Sequence, residues 1–279
     1  PLVVGSVPLL EATVRQLGLA LGLRPVQGPV ALPEATVGVL DPGGLDLRDV
    51  SPGRVSAACG KAAVAYVLGA LDLVQRGAAQ AMATAPIHKE AARLAGYEEV
   101  GHQELLARAT GARDLATMLV SGPLRVVHLS THLSLRRACE AVTRASVLGR
   151  LELADRSFRA WGFQRPRIAV AALNPHAGDG GIIGREEITE LMPAIEEARA
   201  RGIDARGPFP ADSVFLRAIA GEFDAVLALY HDGREVAFAG AYYFRQDPVI
   251  YYEVPSDGQY VLEIRDSLSG SISAIVEAV

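Results

Sequence analysis

Three of the chain's six histidines each follow an apolar, strand-like run. They are His132, His176 and His231, which follow residues 125–129, 167–173 and 225–230. In an open α/β sheet, ligands bind outside the carboxyl ends of the strands, so residues distant in sequence converge there. Neutral imidazoles are the commonest nitrogen ligands of zinc and related metals, and three of them leave a coordination position free for substrate or water. The pattern predicts a catalytic metal site.

The segment Asn174-Pro-His176-Ala-Gly178-Asp-Gly-Gly contains the second of these histidines. Its closely spaced glycines let the backbone approach a ligand, and Asn174 and His176 offer directional polar groups. We therefore predict that Asn174 binds substrate. The alternative is a glycine-rich surface loop with an incidental histidine.

Two further motifs begin predicted helices. In Thr84-Ala-Pro-Ile-His-Lys89 a turn precedes a lysine, and helix N-termini beside a cation attract phosphate or carboxylate groups. His102 lies at the start of the next helix, where it either binds substrate or belongs to the helix cap. The alternative for Lys89 is an ordinary solvated side chain.

Asp212 lies in Pro210-Ala-Asp-Ser213, at the start of a predicted helix. A carboxylate there either caps the helix or acts on a substrate. In the second case it is a general acid or base, or it orients a ligand histidine.

Short apolar runs alternate with helical patterns as far as residue 229, which predicts an α/β fold with a mainly parallel sheet. The predicted strands are 2–4, 36–40, 79–83, 117–120, 125–129, 167–173 and 225–230. The predicted helices are 9–21, 54–75, 89–94, 103–109, 135–160, 185–201 and 211–219. Later runs rich in Tyr, Val and Ile, at 241–244, 249–254 and 259–264, predict antiparallel hairpins. We therefore divide the chain into a body, 1–232, and a β-rich segment, 233–279.

Composition excludes several classes of protein. The formal net charge of −5 over 279 residues argues against nucleic-acid binding. The two cysteines form no Cys-x-x-Cys pair, so we expect neither a disulfide framework nor a thiolate site, and a cytoplasmic location. No apolar run approaches the roughly 20 residues that span a bilayer, and the first residues lack an export pattern, so we expect no membrane partner.

Taken together, the motifs resemble the 4-hydroxythreonine-4-phosphate dehydrogenase family of pyridoxal phosphate biosynthesis over about residues 1–232. The matching series is Thr84-Ala-Pro-Ile-His-Lys, Gly101-His102, Ser130-Thr-His132-Leu, Leu173-Asn-Pro-His-Ala-Gly-Asp-Gly-Gly-x-x-Gly-x-Glu-Glu, Gly207-Pro-x-Pro-Ala-Asp212-Ser and Tyr230-His-Asp232. The resemblance implies a two-lobed fold related to isocitrate and isopropylmalate dehydrogenases, and a homodimer with a shared active site. It also implies NAD-linked oxidation of a phosphorylated hydroxy acid, followed by decarboxylation.

The resemblance also implies roles for individual residues. His132, His176 and His231 match the family's ligands for a divalent metal (Zn, Mg, Mn or Co), with the last reaching in from the partner subunit. His102 matches a substrate-holding residue, and its neighbour, commonly Thr in the family, is Gln103. With the residues singled out above, the predicted substrate-binding set is His102, Gln103, Lys89 and Asn174. The predicted catalytic residues are His102 and Asp212, and no residue is assigned to the cofactor.

Departures from the family pattern leave an alternative open. After Tyr-His-Asp the family continues Gln-Gly-x-x-Pro-x-Lys, whereas this chain reads Gly233-Arg-Glu-Val-Ala-Phe-Ala239. The family's opening Gly-Asp-Pro-Ala-Gly-Ile-Gly-Pro loop is also absent from the sequence. The leading hypothesis is a metal-dependent, NAD-linked dehydrogenase. The alternative is a non-catalytic relative that binds metal or a phosphometabolite and has lost cofactor binding. We see no nucleophile or coenzyme motif for a third possibility, acyl transfer to phosphate.

Overall fold

The computed structural model describes residues 2–98, 101–131, 133–230, 260–266 and 270–276. The chain divides into two compact units, one formed by Pro1–Arg113 with Val276–Val279 and the other by Asp114–Ile275. The sequence-based boundary between residues 232 and 233 falls where residues 231–259 are not described, so it stays a prediction.

The first unit contains a three-stranded parallel sheet with strand order β1-β3-β2. Its elements are β1 (Leu2–Val4), α1 (Val7–Leu17), β2 (Gly22–Pro25), β3 (Thr36–Leu40), a 3-10 turn (Leu47–Asp49), α2 (Ala57–Gln75), α3 (Lys89–Leu94) and α4 (His102–Thr110). The predictions of α2, α3 and α4 are confirmed within a few residues. The apolar strands β1 and β3 are also where the sequence places them.

Two predictions for this unit are wrong. The helix predicted over 9–21 ends at Leu17, because Gly18 adopts the left-handed conformation (φ 63°) and β2 begins soon afterwards. The strand predicted over 79–83 does not form, although those residues are described. That run is rich in alanine, which is depleted in strands because its small side chain contributes little packing to a sheet.

Helix α2 is long and apolar enough to cross a membrane by length and composition alone, and it is the one such helix among the described residues. This corrects the expectation that no segment approaches that length. Core helices of globular proteins meet the same criteria. The residues of α2 that are buried in this unit are Gly60, Ala62, Val64, Val67, Leu71, Leu73 and Val74.

The second unit contains a five-stranded sheet with strand order β4-β5-β8-β6-β7. Its elements are β4 (Met118–Ser121), β5 (Leu124–His128), α5 (Leu135–Glu140), α6 (Arg144–Ala160), β6 (Arg167–Ala171), a π-helical turn (Glu187–Leu191), α7 (Met192–Ala200), β7 (Asp204–Phe209), α8 (Ala211–Ile219) and β8 (Ala225–Ala228). Strands β4 and β5 form an antiparallel hairpin, and the remaining pairs are parallel. The mainly parallel α/β architecture is therefore confirmed.

The sheet of this unit is buried on both faces. Ile168 and Val170 of β6 pack in a cluster that includes Leu151 of α6 and Ile195 of α7. The alternate residues Ala169 and Ala171 pack in a second cluster, with Val214, Phe215 and Ala218 of α8. Because neither face of β6 meets water, the strand is apolar at every position after the first, which made it easy to predict.

Three predictions in this unit need correction. The single helix predicted over 135–160 is two helices, because Thr143 caps α6 in a reciprocal capping box with Ser146. The helix predicted over 185–201 begins as the π-helical turn and becomes α-helical at Met192, beside a proline in its first turn. Strand β7 was not predicted, and it lies at the sheet edge beside β6.

The described part of the C-terminal segment is a two-stranded sheet of β9 (Tyr260–Asp266) and β10 (Gly270–Val276). Strand β9 agrees with the strand predicted over 259–264. The strands predicted over 241–244 and 249–254 lie outside the described residues.

An ion pair joins β6 and β8 at their amino ends. The Asp224 carboxylate accepts hydrogen bonds from Arg167 at the main-chain N (2.8 Å), Nε (3.0 Å) and Nη2 (2.8 Å). These bonds, led by those of the side chain, hold the pKa of Asp224 below its ordinary value. Because the folded-state pKa is depressed, the stabilisation is complete above the unfolded-state pKa and disappears as the pH falls through the folded-state pKa.

We predict that Asp224→Asn lowers the free energy of unfolding at pH 7 by about 1.5–3 kcal/mol, the usual value of hydrogen bonds to a charged group. The deficit relative to the unaltered protein should shrink as the pH falls below about 4, where the unfolded-state aspartate is protonated. Urea unfolding across about pH 3–7 measures this difference in the free energy of unfolding. Asp114→Asn, in an exposed ion pair with Arg156, is the control and should have little effect at any pH. A deficit independent of pH would contradict the prediction.

Helices α2 and α3 approach closely at Gly60. A Cβ atom placed there would lie 1.9 Å from the carbonyl oxygen of Ala91, so a side chain requires the backbone to move. We predict that Gly60→Ala destabilises the first unit by about 1–3 kcal/mol or more, as overpacking does. Gly149→Ala on α6 is the control, because nothing lies within 4 Å of its Cβ position. That substitution should stabilise its helix by about 0.5–1 kcal/mol. Thermal unfolding of both variants measures the contrast, and equal effects would contradict it.

Candidate active site

The carboxyl ends of three adjacent parallel strands form the candidate site in the second unit. Strand β8 lies between β5 and β6 and is parallel to both. His128 of β5 pairs with Ala228, and Val170 of β6 pairs with Leu227. The segments that leave these strands therefore start side by side at one edge of the sheet, as the sequence predicts.

The exits of β5 and β8 are joined by hydrogen bonds. The main-chain N–H of Leu129 donates to the carbonyl of Ala228 (2.8 Å), and the buried Ser130 hydroxyl donates to the carbonyl of Leu229 (3.0 Å). On the other side, Arg150 of α6 donates to the carbonyl of Leu129 (3.3 Å). These bonds fix the backbone immediately before the Thr131-His132 and Tyr230-His231 dipeptides.

Beside them, the exit of β6 is held by a buried carboxylate. Glu187 is 2% exposed. Its Oε1 accepts from the main-chain N–H groups of Leu173 (2.9 Å) and Asn174 (2.7 Å), and its Oε2 accepts from Asn174 Nδ2 (2.9 Å). Asn174 Nδ2 also donates to Glu186 (2.8 Å), and this bond contributes to a lowered pKa for Glu186, after the larger effect of that residue's own main chain.

The histidine that follows lies in an unusual backbone segment. Residues 176–180 all have positive φ, and His176 (51°), Ala177 (55°) and Asp179 (49°) are not glycine. A left-handed conformation costs an L-residue roughly 1–2 kcal/mol, so such segments persist only where their surroundings enforce them. The His176 side chain is exposed and available to a ligand.

Asp212 lies near the exit of β7, which is hydrogen-bonded to β6 where Ala172 N–H meets the Phe209 carbonyl (2.8 Å). Its side chain is exposed in the first turn of α8. Pro210 precedes the first residue of α8 and provides no side-chain cap, and the Ser213 hydroxyl donates to the Pro210 carbonyl (3.2 Å). The capping alternative for Asp212 is therefore not observed, while its role in catalysis stays a prediction.

In the first unit, the predicted substrate motif 84–89 lies close to His102. The main-chain carbonyl of Ala85 lies close to the His102 imidazole. Burial, the largest effect, lowers the pKa of His102, so the neutral ring is favoured at pH 7. Within the described residues, His102 Nε2 and Thr84 Oγ1 are both shielded from solvent and make no hydrogen bond. Buried polar atoms without partners mark places where a ligand or water completes the structure.

Lys89 and Gln103 begin the neighbouring helices. Lys89 is exposed in the first turn of α3, which His88 caps by accepting from Ala91 N–H (3.4 Å). Lys89 also lines a small depression together with Ile87 and Tyr97. Gln103 is half-buried in the first turn of α4. Both positions suit a polar ligand, and substrate binding by either stays a prediction.

Of the three predicted metal ligands, one lies among the described residues. His176 supplies an exposed imidazole at the strand edge, whereas His132 and His231 lie outside the described residues. Among the described residues, no cluster of three or more His, Cys, Asp or Glu side chains is arranged to hold a metal. The three-histidine site therefore stays a prediction that rests on the adjacency of the strand exits.

Comparison with protein families decides the relationship. A family model described as pyridoxal phosphate biosynthetic protein PdxA matches residues 1–242. The chain belongs to the PdxA family. The family resemblance found in the sequence is confirmed, and the match continues past Tyr230-His231-Asp232.

Named relatives of this PdxA-family chain are dehydrogenases. It is 44% identical over 207 residues to D-threonate 4-phosphate dehydrogenase of Salmonella typhimurium, covering 74% of this chain and 59% of that protein. It is 41% identical over 233 residues to 4-hydroxythreonine-4-phosphate dehydrogenase of Beijerinckia indica, covering 83% and 69%. A crystal structure of 4-hydroxythreonine-4-phosphate dehydrogenase from Klebsiella pneumoniae matches with a TM-score of 0.82 at 37% identity, covering 87% and 76%.

Sequence reasoning assigned no role to three buried polar groups near the predicted site residues. Thr84 was quoted within its motif but given no role, and Ser130 was treated in the same way. Glu187 ends the Gly184-Arg-Glu-Glu187 part of the glycine-rich motif and was likewise given no role. The acidic pair Glu186-Glu187 after a glycine-rich loop was a usable signal, but its target became visible only in the fold.

Two glycines of the loop provide a matched test of the carboxylate contact. A Cβ on Gly178 (φ 79°) would lie 2.7 Å from Glu187 Oε2, whereas a Cβ on Gly180 (φ 67°) meets nothing within 4 Å. Both alanine variants bear the left-handed strain of roughly 1–2 kcal/mol. We predict that Gly178→Ala costs a further ~1–3 kcal/mol from overpacking. Chemical denaturation measures both, and equal losses would show that the carboxylate is free to move.

Proposed function

We propose that this chain is a metal-dependent, NAD-linked dehydrogenase that oxidises the hydroxyl group of a phosphorylated hydroxy acid and then releases CO2. The observation that carries the proposal is the side-by-side exit of three parallel strands, each leading to a histidine, in a PdxA-family chain. The names of the relatives support oxidoreductase activity on such a substrate. We further propose a two-lobed fold like that of isocitrate dehydrogenase and a cytoplasmic homodimer with a shared active site. We propose no nucleic-acid or membrane partner.

In this proposal His132, His176 and His231 hold the divalent cation (Zn, Mg, Mn or Co). When bound, it stabilises negative charge on the substrate oxygen as the hydroxyl loses its proton and again during decarboxylation. Three neutral imidazoles add no charge of their own, so the full positive charge of the cation remains available to that oxygen. The exposed position of His176 leaves its ring accessible for this role.

The other proposed residues bind substrate or move protons. Lys89 provides positive charge for the phosphate group. His102, kept neutral by burial, serves as a hydrogen-bond partner rather than as a cation. Gln103 and Asn174 add polar contacts. Asp212 accepts the hydroxyl proton as general base.

The proposed reaction has two stages, an oxidation and a decarboxylation. In the first, Asp212 takes the hydroxyl proton, and a bound NAD would accept the hydride from the carbon that bears the hydroxyl, which leaves a β-keto acid. In the second, the bond to the carboxylate breaks and CO2 leaves. The electron pair moves onto the keto oxygen as an enolate, which is then protonated.

Two substrates are suggested by the relatives. D-threonate 4-phosphate and 4-phosphohydroxy-L-threonine both place a phosphate and a carboxylate on either side of the reacting hydroxyl, and they differ in having a hydroxyl or an amino group at the second carbon. The identity to the D-threonate 4-phosphate enzyme is slightly higher, at 44% against 41%. We therefore propose D-threonate 4-phosphate as the first substrate to assay.

A second candidate function is supported by the sequence after residue 232. Residues 233–239 contain no lysine where the family pattern has one. A protein without that cation could retain metal and phosphometabolite binding while having lost the cofactor and the dehydrogenase reaction.

We predict NADH formation when the protein is given either substrate, NAD and one of Zn, Mg, Mn or Co. His176→Ala should lower kcat/KM by at least about 100-fold, because a direct ligand matters at least as much as the groups that orient it. Asp72→Asn, an exposed change on α2, should leave the rate unaltered. Absorbance of NADH measures the rate, and calorimetry measures binding of metal, NAD and substrate separately.

The two candidate functions differ in that experiment. Metal and substrate binding without NAD binding or NADH formation would establish the non-catalytic alternative. Absence of metal binding by the unaltered protein would contradict both.

A further inference from the structure

Glu187 is a buried acidic residue, and its hydrogen bonds all go to the end of one strand. Removing a carboxylate from water is costly unless hydrogen bonds replace the lost hydration. Here two main-chain N–H groups and one side-chain amide supply them, and all three belong to Leu173 and Asn174. The buried carboxylate therefore binds two consecutive residues, which lie just before His176.

The orientation of Asn174 is set by the same network. Its Nδ2 atom has two hydrogens, and it donates to Glu186 Oε2 (2.8 Å) and to Glu187 Oε2 (2.9 Å). The amide group is pressed against Gly184, where a Cβ would lie 2.3 Å from Nδ2. With both hydrogens used, the Asn174 side chain has a single orientation, and so does the backbone that it joins to the helix.

The carboxylate is attached to a rigid element. Glu187 begins the π-helical turn Glu187–Leu191, whose last residue is fully buried in the cluster that includes Ile195 of α7. π-Helical turns occur often at functional sites, because the extra residue in the turn redirects a side chain. The contact therefore connects the strand exit to the packed core of the unit rather than to a mobile surface group.

The connection has a conformational consequence. Residues 176–180 are left-handed, and three of them are not glycine, so this backbone is intrinsically unfavourable. Glu187 fixes the chain just before the segment. It also lies directly against Gly178, within the segment. Two contacts from one carboxylate thus restrain the segment at its start and at its middle.

We propose that Glu187 is a positioning residue for His176: its carboxylate holds the strand exit and the left-handed segment so that the imidazole is presented to the metal. The proposal rests on the metal site of the proposed function. It assigns no contact between Glu187 and substrate or metal.

The test compares the unaltered protein with Glu187→Ala, Glu187→Gln and Leu191→Ala. Glutamine retains an oxygen for the two main-chain N–H groups, so it is the conservative variant. Leu191→Ala removes a fully buried apolar side chain from the same turn without removing a hydrogen bond. It is therefore the control for a general loss of stability in this turn. Three quantities are measured: hydrogen exchange over residues 172–184 without metal, the Kd of Zn²⁺ or Co²⁺ by calorimetry, and kcat and KM separately.

We expect Glu187→Ala to accelerate amide exchange over residues 172–184 by about tenfold or more, because local opening follows the loss of local contacts. The metal Kd should rise by about 10–100-fold, as it does when groups that orient a ligand are removed. kcat should fall more than KM changes. Glu187→Gln should restore most of the protection and most of the metal affinity. Leu191→Ala should lower the melting temperature without changing the amide protection of residues 172–184 or the metal affinity.

The proposal is overturned if Glu187→Ala exchanges and binds metal like the unaltered protein, or if Leu191→Ala produces the same losses. A failure of the unaltered protein to bind any metal would refute the metal site and with it the presentation of His176. In that case the exchange data still decide whether Glu187 holds the strand exit, so the two failures are distinguishable.

Discussion

Hydrogen bonding between parallel strands is the constraint on which the candidate site depends. Neighbouring strands lie about 4.8 Å apart, and parallel alignment brings all their carboxyl ends to one edge. Because β8 pairs with both β5 and β6, three segments that are distant in sequence start side by side. The Ser130 hydroxyl and the Leu129 main chain extend this pairing past the last ladder residues. Any chemistry at this edge depends on that alignment, and the apolar layers on both faces of the sheet maintain it.

Beyond the sheet, polar contacts replace the ladder. The exit of β6 leaves two main-chain N–H groups that β-pairing no longer satisfies, and a buried carboxylate accepts both. Glycine at positions 178 and 184 leaves the space that the carboxylate and the Asn174 amide occupy. The strained segment that carries His176 is thus held by charge and shape rather than by regular structure. The strands and the π-helical turn provide the frame, and the irregular loop carries His176.

The first unit provides a different environment. Burial favours the neutral form of His102. Thr84 Oγ1 is also shielded from solvent, and Thr84 directly precedes Ala85, whose main-chain carbonyl lies close to the His102 ring. Neutral hydrogen-bonding groups of this kind suit an oriented polar substrate, while the exposed Lys89 suits its phosphate. In the proposed function, these groups bind a phosphorylated hydroxy acid.

The sequence by itself determined whatever depends on local pattern. The helices 89–94 and 211–219 are where their patterns place them, and the apolar runs of β5, β6 and β8 identify buried parallel strands. It also determined the family, because motifs preserve their order along the chain. Tertiary structure alone decided that β2 and β7 join their sheets, that residues 79–83 form no strand, and that Glu187 meets Leu173 and Asn174. Those outcomes depend on partners far apart in sequence, whose hydrogen bonds and close contacts exist only once the chain has folded.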